Sequence, residues 1–440
     1  MGLFPFNKGV RPPSCKSATE DRPIEQVLPG IGELMVFPML QHSGAECVPL
    51  VSSGDFVKSG QKIGDSDGPV SSPIHSSVSG TVRDVGPALT PNGITVGAVT
   101  VENDGNYTDC EPICPKKSRT DLPKNELLGI IREAGIVGLG GAGFPAHVKL
   151  GTDRDIDYMI VNGAECEPFL TSDLRILLEE SEKVIRGLRI ILSMFPNAKG
   201  IVAVESDKPH AVGKMREQCE MDGQEHPHSP IEVVKLRTKY PQGSEKQLIR
   251  ACTGREVPSG KLPADIGCVV SNTATVAAVE RAVRLGRPLL SRVVTVAGDA
   301  VTNPGNYKVR LGMSHRSLIE AAGGYCLPPR KLISGGPMMG TAMFTDEVPV
   351  IKTTSGFVCL SGEKASVPAE TACIRCGKCV AHCPMGLMPL ELNKYAVRRE
   401  KGAFAEYNGN ECIGCGCCSY VCPAKRYLAQ SIYGLKKEKS

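Results

Sequence analysis

Eight of the 19 cysteines lie in two runs that repeat the spacing C-x2-C-x2-C-x3-C-P. The first run is Cys373, Cys376, Cys379 and Cys383, and the second is Cys412, Cys415, Cys418 and Cys422. Proteins with two [4Fe–4S] clusters use this spacing, because three thiolates two residues apart wrap one cluster and the fourth reaches the other. The following proline suits the first turn of a helix that points away. We therefore predict two clusters, with the ligand sets Cys373, Cys376, Cys379, Cys422 and Cys412, Cys415, Cys418, Cys383.

A zinc site is the alternative for closely spaced cysteines. Structural zinc usually takes two C-x2-C pairs separated by a longer gap. That arrangement leaves the third and fourth cysteines of each run unexplained. Cys417 is out of step with the spacing, so we predict that it is not a ligand. The other cysteines are scattered, and we expect isolated thiols that pack as small apolar groups.

The segment that separates the two runs, residues 384–411, has apolar side chains at helical intervals and a break at Gly402. We predict a mainly helical two-cluster ferredoxin module over residues 365–430.

Composition limits the classes of protein to consider. A chain of 440 residues with 41% hydrophobic residues can form about three domains. A net charge of +4, no Trp and 5% aromatic residues argue against a nucleic-acid partner. No apolar run approaches the roughly 18 residues of a membrane-spanning helix, and the N-terminus lacks a secretory signal. We expect a cytoplasmic protein without a transmembrane segment.

Residues 1–105 are predicted to form a β domain of short strands. The phrase GDFVKSGQKIGD is similar to the half-barrels of biotinyl and lipoyl carriers, so we expect a barrel-sandwich fold. Such carriers place a modified lysine at a hairpin, whereas this chain has Ser72–Ser77 there without lysine. We therefore expect no attached cofactor, and a packing or turn role for His75.

Three further segments follow. Residues 106–124 are rich in proline and polar residues, which predicts a linker. Strands alternate with helices over residues 125–289, which predicts an α/β domain, with a helical segment over 171–195. Residues 290–350 are predicted to form a small β-grasp domain that starts with a hairpin closed by Asn303–Asn306.

Four glycines stand close together at Gly138, Gly140, Gly141 and Gly143. Glycine lets backbone amides approach a phosphate closely, although a plain tight turn is the alternative. The spacing matches neither the dinucleotide-binding Gly-x-Gly-x-x-Gly motif nor a P-loop.

The glycine segment, continued by Phe144, Pro145 and Lys149, resembles the flavin loop of the FMN-binding subunit of respiratory complex I. Asn162–Pro168 and Asn272-Thr273 resemble later motifs of that subunit. Nearly the whole chain resembles the RnfC family of the Rnf electron-transport complex, through motifs that keep their order: QHSGA, PIHSSVSG, GLGGAGFPAHVK, NGAECEP, YPQGSEKQLI, SGGPMMG and the paired cysteine runs.

The resemblance implies a site for FMN and NAD(H) in the α/β domain. The glycines, Phe144 and Lys149 would hold the flavin, with Asn162, Asn272 and Thr273 nearby. Glu165 and Glu167 would line the flavin and nicotinamide pocket, although both precede a helix and can instead act as charges at its N-terminus. The loop of complex I that matches Gly243 has two adjacent acids, whereas this chain has only Glu245, which puts the nucleotide contact there in question.

The resemblance also implies a function. A nicotinamide moves two electrons as hydride and a cluster moves one, and a flavin handles both. We expect a peripheral subunit at the cytoplasmic face of the membrane, in a complex that couples electron flow between ferredoxin and NAD to ion translocation. One alternative is a soluble relative that carries electrons from NADH to another reductase, such as an amino-acid reductase. The other is a scaffold that kept the clusters and lost the flavin site.

Overall fold

The structure is a computed structural model that describes residues 4, 6–114, 122–362, 365 and 368–438. The linker predicted over 106–124 therefore lies partly outside the described residues. No helix in these described ranges is both long and apolar enough to cross a membrane.

The N-terminal strands form two small antiparallel sheets of four and three strands. The strands are short, as their bounds show: β1 (Ile24–Gln26), β2 (Leu34–Pro38), β3 (Val48–Pro49), β4 (Phe56–Val57), β5 (Lys62–Asp65), β6 (Ile74–His75), β7 (Gly80–Leu89) and β8 (Thr95–Asn103). The sheets have the orders β2-β8-β7-β4 and β3-β5-β6. Met35 and Phe37 on β2 are fully buried, and their alternation with more exposed neighbours places one face of the sheet in the core. His75 is 3% exposed, as a packing role predicts.

The α/β domain has a four-stranded parallel sheet with the order β11-β10-β9-β12. Its helices and strands follow in chain order: α1 (Lys124–Glu133), α2 (Ala146–Leu150), β9 (Tyr158–Gly163), α3 (Ser172–Glu179), α4 (Ser181–Ser193), β10 (Lys199–Glu205), α5 (Pro209–Glu225), β11 (Ile231–Leu236), α6 (Glu245–Thr253), a 3-10 turn (Pro263–Ile266), β12 (Cys268–Asn272) and α7 (Thr273–Leu285). The helical segment predicted over 171–195 forms two helices, α3 and α4. The helix breaks at Glu180, whose φ is −119° and whose carboxylate accepts a hydrogen bond from Arg281 at 2.5 Å.

A third domain is built on a six-stranded mixed sheet with the order β1-β14-β13-β17-β15-β16. Its own elements are β13 (Ser291–Ala297), β14 (Gly305–Arg310), α8 (His315–Ala321), β15 (Lys331–Ser334), β16 (Thr341–Met343) and β17 (Gly356–Leu360). The hairpin β13–β14 lies where the sequence predicts it. The sheet also takes in strands outside the predicted limits of 290 and 350, because β1 pairs with β14 from the N-terminal segment and β17 pairs with both β13 and β15.

The cysteine runs lie in a helical module. Its elements are α9 (Lys378–His382), α10 (Pro389–Arg398), α11 (Lys401–Glu406), a 3-10 turn (Gly409–Glu411), α12 (Cys417–Tyr420) and α13 (Leu428–Lys437). The break expected at Gly402 falls instead at Arg399, which takes a left-handed conformation with a φ of +59°. Gly402 lies inside α11.

Candidate flavin and cluster site

The parallel sheet has a switch point between β9 and β12. After β9 the chain adds β10 and β11 on one side, and it then crosses back to add β12 on the other side. Ligands of open α/β sheets bind at the carboxyl ends of the strands at such a point. Asn272 ends β12, and it is the direct register partner of Asn162 near the end of β9. Two predicted flavin contacts thus flank the switch point.

The glycine loop between α1 and α2 lies over this edge of the sheet. The Gly138 amide donates to the Phe144 carbonyl at 2.8 Å, and the Gly143 amide donates to the Gly138 carbonyl at 3.0 Å, which closes the loop. The Leu139 amide donates to Thr275 Oγ1 on α7 at 2.9 Å. A Cβ on Gly140 would lie 3.3 Å from the Asn272 side chain. The loop is therefore packed tightly beside Asn272.

The tip of the loop is open. Gly141 has a φ of +99°, and a Cβ there would meet nothing within 4 Å. Among the described residues, none accepts a hydrogen bond from the amides of Gly140, Gly141 or Ala142. Unpaired amides beside open space form a cradle for an anion, so the loop fits the phosphate of FMN.

The back of the loop is held by other domains. The Ser43 amide donates to the Gly143 carbonyl and Ser43 Oγ donates to the Ala142 carbonyl, both at 2.9 Å. A Cβ on Gly143 would lie 2.8 Å from the Thr353 methyl group. The N-terminal domain therefore supports the flavin loop directly, which sequence motifs alone do not reveal.

Lys352 ties the same domains together from inside. Its side chain is buried, and Nζ donates to the carbonyls of Pro73 at 2.6 Å and Gly135 at 2.7 Å and to Ser72 Oγ at 3.2 Å. Burial lowers the pKa of Lys352 to about 7. Gly135 lies just after α1, so this contact fixes the start of the segment that carries the glycine loop.

Three predicted residues form one hydrogen-bonded group at the sheet edge, and Asn272 lies beside them in register with Asn162. Asn162 Nδ2 donates to the Gly243 carbonyl at 2.9 Å, and Thr273 Oγ1 donates to the Asn162 carbonyl at 3.1 Å. Asn272 caps α7 by accepting from the Ala274 amide at 2.9 Å. Two others meet as an ion pair, Lys149 with Glu245 at 2.5 Å. The structure thus brings together Asn162, Gly243, Asn272 and Thr273, and separately Lys149 and Glu245.

Glu165 is used by a helix. Its carboxylate accepts from the amides of Asp173 at 2.9 Å and Leu174 at 3.3 Å, which lie in the first turn of α3. Lys16 Nζ donates to the Glu165 carbonyl. The carboxylate of Glu165 therefore takes the helix N-terminal role that the sequence left open.

Glu167 has a different environment. Glu167 Oε2 accepts from the Met338 amide at 3.0 Å, whereas Oε1 is buried and has no hydrogen-bond partner among the described residues. Burial raises the pKa of Glu167 to about 7. Buried polar atoms are normally paired, so this free oxygen fits a contact to a bound group.

Sequence motifs miss two further polar residues beside the loop. Asp173 Oδ2 accepts from Asn272 Nδ2 at 2.6 Å, and burial together with the Glu165 charge raises the pKa of Asp173 to about 7. Arg292, 4% exposed, donates to the Leu139 carbonyl at 2.8 Å. In the sequence, Asp173 is recognisable only as part of a helix start. Arg292 lies on β13 in another domain, so no local pattern marks it as a residue of this site.

Cys383, Cys412, Cys415 and Cys418, which we call the inner set, line one cavity together with the non-ligand Cys417. Burial raises the pKa of Cys418 to about 12, and the neighbouring thiols Cys415, Cys412 and Cys383 act in the same direction. The other lining side chains are mostly apolar and include Leu387, Leu392 and Ile432. Four convergent thiols in an apolar cavity fit the ligand set of a [4Fe–4S] cluster.

Cys373, Cys376, Cys379 and Cys422, which we call the outer set, lie at the surface. Cys373 and Cys376 are exposed, and Cys379 and Cys422 are half-buried. Burial raises the pKa of Cys379, and the Cys422 thiol acts in the same direction. Cys379 and Cys422 are therefore close, as the predicted exchange of the fourth cysteine requires. Cys417 is fully buried against Val10 and Tyr240.

The inner set is joined to the flavin domain. Tyr240 Oη donates to the Cys415 carbonyl at 2.7 Å, and a Cβ on Gly416 would lie 3.0 Å from the Met338 carbonyl. On the far side of Tyr240, the Gly243 amide donates to Cys166 Sγ at 3.3 Å. A continuous series of contacts thus runs from the sheet edge to the inner set.

Polar contacts from α6 hold the same interface. Lys246 Nζ lies 2.8 Å from Glu411, and Gln247 Nε2 donates to the Pro384 carbonyl at 3.2 Å. Hydrogen bonds from Lys246 and Ser259 lower the pKa of Glu411 to about 2.

Known proteins match along the whole chain. Residues 4–106 match the RnfC barrel-sandwich hybrid domain, 131–281 the Nuo51 FMN-binding domain, 293–342 the SLBB domain and 372–425 the 4Fe-4S dicluster domain. The C subunit of the Na⁺-translocating ferredoxin:NAD⁺ oxidoreductase complex of Acetobacterium woodii is 43% identical over 438 residues, which cover 98% of this chain and 96% of that protein. This chain belongs to the RnfC family.

Other members of the RnfC family are similar. The C subunit of the proton-translocating ferredoxin:NAD⁺ oxidoreductase complex of Clostridium ljungdahlii is 44% identical over 99% of this chain and 94% of its own length. The C subunit of an ion-translocating oxidoreductase complex from Rhodobacter capsulatus is 38% identical over 89% and 74%. Among solved structures, a chain of an NAD⁺-reducing [NiFe]-hydrogenase has a TM-score of 0.53 at 16% identity, covering 73% of this chain and 63% of that chain, which shows the fold alone. The predicted multidomain fold is confirmed.

Proposed function

We propose that this chain is the subunit of an ion-translocating ferredoxin:NAD⁺ oxidoreductase complex that passes electrons between NAD(H), FMN and two [4Fe–4S] clusters. The observation that carries the proposal is the contact series from Asn162 at the sheet edge, beside the glycine loop, through Gly243, Cys166 and Tyr240 to Cys415. It joins a phosphate cradle to a cluster ligand set inside one chain. The named relatives are subunits of such complexes.

The residues present fit these groups. The open amides at Gly141 and Ala142 suit the FMN phosphate, and four thiols suit each cluster. When bound, the flavin would exchange hydride with a nicotinamide and single electrons with the clusters. The protein's own part is to hold these groups in place and to exclude water around the inner set.

The difference in burial between the two sets indicates an order for the redox centres. The inner set lies against the flavin domain, with Cys415 at 8% exposure, whereas the outer set has Cys373 and Cys376 exposed. We infer the order flavin site, inner set, outer set and partner. Solvent exposure and hydrogen bonds to sulfur tune cluster potentials, so the two sites should also differ in potential.

The NAD(H) contact is proposed near Glu167 and Phe144. Glu167 has a buried oxygen without a partner among the described residues, and Phe144 is 38% exposed beside the loop. An exposed aromatic ring suits a nicotinamide ring, and a buried acceptor suits its carboxamide. The ion pair of Lys149 with Glu245 lies on the same edge, and we propose that Lys149 turns to the phosphate when FMN binds.

Within the complex we propose a peripheral position at the cytoplasmic face of the membrane. A soluble carrier for another reductase is not favoured, because the named relatives are complex subunits over nearly the same length.

The proposal is tested by anaerobic purification and cofactor analysis. We expect about eight iron atoms and about one FMN per chain. Replacing Gly141 with valine should abolish FMN binding and leave iron unchanged, because a side chain would fill the space above the open amides. Gly54→Val is the matched control, since Gly54 has a φ of +95° and the same open surroundings in another domain. Loss of FMN in both variants, or in neither, would contradict the phosphate role of the loop.

A further inference from the structure

The outer set lies in the middle of an exposed surface. Every residue from 368 to 378 is exposed. Large apolar or aromatic side chains stand around the ligand thiols: Ile374 is 67% exposed, Tyr420 47% and Tyr427 41%. Exposed apolar groups clustered in one place mark interaction sites more often than single exposed residues do.

The same surface carries uncompensated positive charge. Arg375, Lys378 and Lys425 are exposed, and none of them forms an ion pair with a described residue. Arg375 lies between two ligands, Lys378 precedes the third, and the Lys425 amide donates to the carbonyl of Cys422, the fourth ligand, at 3.1 Å. The acid nearest in sequence, Glu370, accepts from the Tyr427 amide at 3.0 Å. The charge around the outer set is therefore net positive.

We propose that this surface docks another electron-transfer subunit of the same complex, one with its own redox centre, through an acidic face on that subunit. The docking surface is Ile374, Arg375, Lys378, Tyr420, Lys425 and Tyr427. The inference rests on the proposed function, because it takes the outer set as the point where electrons leave or enter the chain. Exposed aromatic and apolar side chains together with an arginine match the composition of a protein interface.

The position of the charges decides between partners. An anionic membrane also attracts lysine and arginine, but a lipid headgroup neither gives nor takes electrons. The three cations lie among the cluster ligands themselves, where only a partner with its own redox centre gains from close approach. Membership of a family of complex subunits favours a fixed subunit over a mobile carrier.

Charges around an interface act mainly on the association rate and its salt dependence. The test therefore uses the charge-reversed chain R375E/K378E/K425E. Its matched control is K58E/K199E/R216E, in which each replaced residue is exposed, lies outside the cluster module and forms no ion pair with a described residue. Both chains are first checked for iron and FMN content equal to the unmodified chain.

The probe is a membrane vesicle from cells that lack this chain and keep the other subunits. Sedimentation measures binding, and the optical spectrum measures reoxidation of the NADH-reduced chain. We expect the charge-reversed chain to bind and reoxidise about tenfold less well at low salt, with the difference shrinking near 1 M salt as the Debye length falls to about 3 Å. The control should match the unmodified chain.

Three results would overturn the proposal. The charge-reversed chain could bind these vesicles as the unmodified chain does. It could lose binding equally to vesicles of anionic phospholipid alone, which would indicate a membrane surface. It could keep binding to the vesicles and lose only electron exchange with a free acidic two-cluster ferredoxin, which would indicate a mobile carrier.

If charge reversal costs iron, R375Q/K378Q/K425Q takes its place with a smaller expected effect of about threefold. Failure of the proposed function is distinguishable, because it would appear as missing FMN or iron in the unmodified chain.

Discussion

The inner and outer sets come from cysteine runs of the same spacing and have opposite surroundings. The inner set lies in a cavity lined by apolar side chains and touches the flavin domain through Tyr240 and the third domain through Met338. The outer set is held by a loop that is exposed from residue 368 to 378. Spacing therefore determines which thiols can share a cluster, and the packing around each set determines what that cluster can exchange electrons with.

We expect this difference in burial to give the two sites different roles in electron transfer. In the proposed relay, burial keeps the inner set away from water and from chance acceptors, so that its exchange would be limited to the flavin side and to the outer set. Exposure gives the outer set access to a partner. A relay needs both properties, and a symmetric pair of buried or exposed sites would supply only one of them.

The first test of this comparison removes one cluster ligand from each set. Cys415→Ser and Cys373→Ser should each cost about four of the eight iron atoms. Only Cys415→Ser should also lower the unfolding temperature markedly and reduce FMN retention, because Cys415 packs among buried groups between domains. Iron, flavin and thermal unfolding are measured on all variants, with Cys326→Ser, an exposed cysteine outside both runs, as control. Equal destabilisation by the two ligand changes would mean that the sets are not differently embedded.

A second test examines whether FMN binding at the glycine loop depends on the buried contacts of Lys352. Lys352→Met removes the donor to three buried acceptors, so we expect a loss of about 2–5 kcal/mol in stability and weaker FMN binding with normal iron content. Lys124→Met is the control, because Lys124 Nζ donates to a single carbonyl, that of Thr152. Unchanged FMN affinity in Lys352→Met would show that the loop does not depend on this junction.

The same lysine predicts a pH dependence. The folded-state pKa of Lys352 is about 7, below the ordinary value of a lysine, because the side chain is buried. Between these two values the unfolded chain binds more protons than the folded chain, so this group makes stability rise with pH above about 7. Lys352→Met lacks that contribution, and its stability relative to the unmodified chain should fall between about pH 7 and pH 9 in denaturant titrations. A constant difference would contradict the buried, titrating amine.

These features show what local patterns reveal. The cysteine pairing follows from spacing, and the open conformation of Gly141 follows from a glycine cluster, because both are local properties of the chain. The role of Glu165 depends on which amides of α3 it meets, so the sequence left it open. The contacts of Ser43 with the glycine loop, of Lys352 with Pro73 and of β1 with β14 join segments far apart in sequence. Periodic patterns in the sequence do not reveal such contacts, because the contacts depend on how the domains pack.

The smallest expected effect concerns the polar contacts at either end of the cluster module. Lys246 pairs with Glu411 across the interface at 2.8 Å, with side chains 25% and 20% exposed. Arg399 pairs with Glu438 inside the module at 2.5 Å, with side chains 71% and 41% exposed. A partly buried pair loses more than an exposed one when one partner is removed, because the remaining charge is left with less water around it.

We therefore expect Lys246→Met to cost about 1–2 kcal/mol in stability and Arg399→Met less than about 0.5 kcal/mol, measured by denaturant unfolding under anaerobic conditions. Lys246→Met should also separate the unfolding of the module from that of the flavin domain, since the pair joins the two. If the two variants unfold alike and in one step, the inner side of the module is held by its apolar contacts alone. The asymmetry between the two cysteine sets would then arise from packing around Tyr240 and Met338, with no contribution from charge.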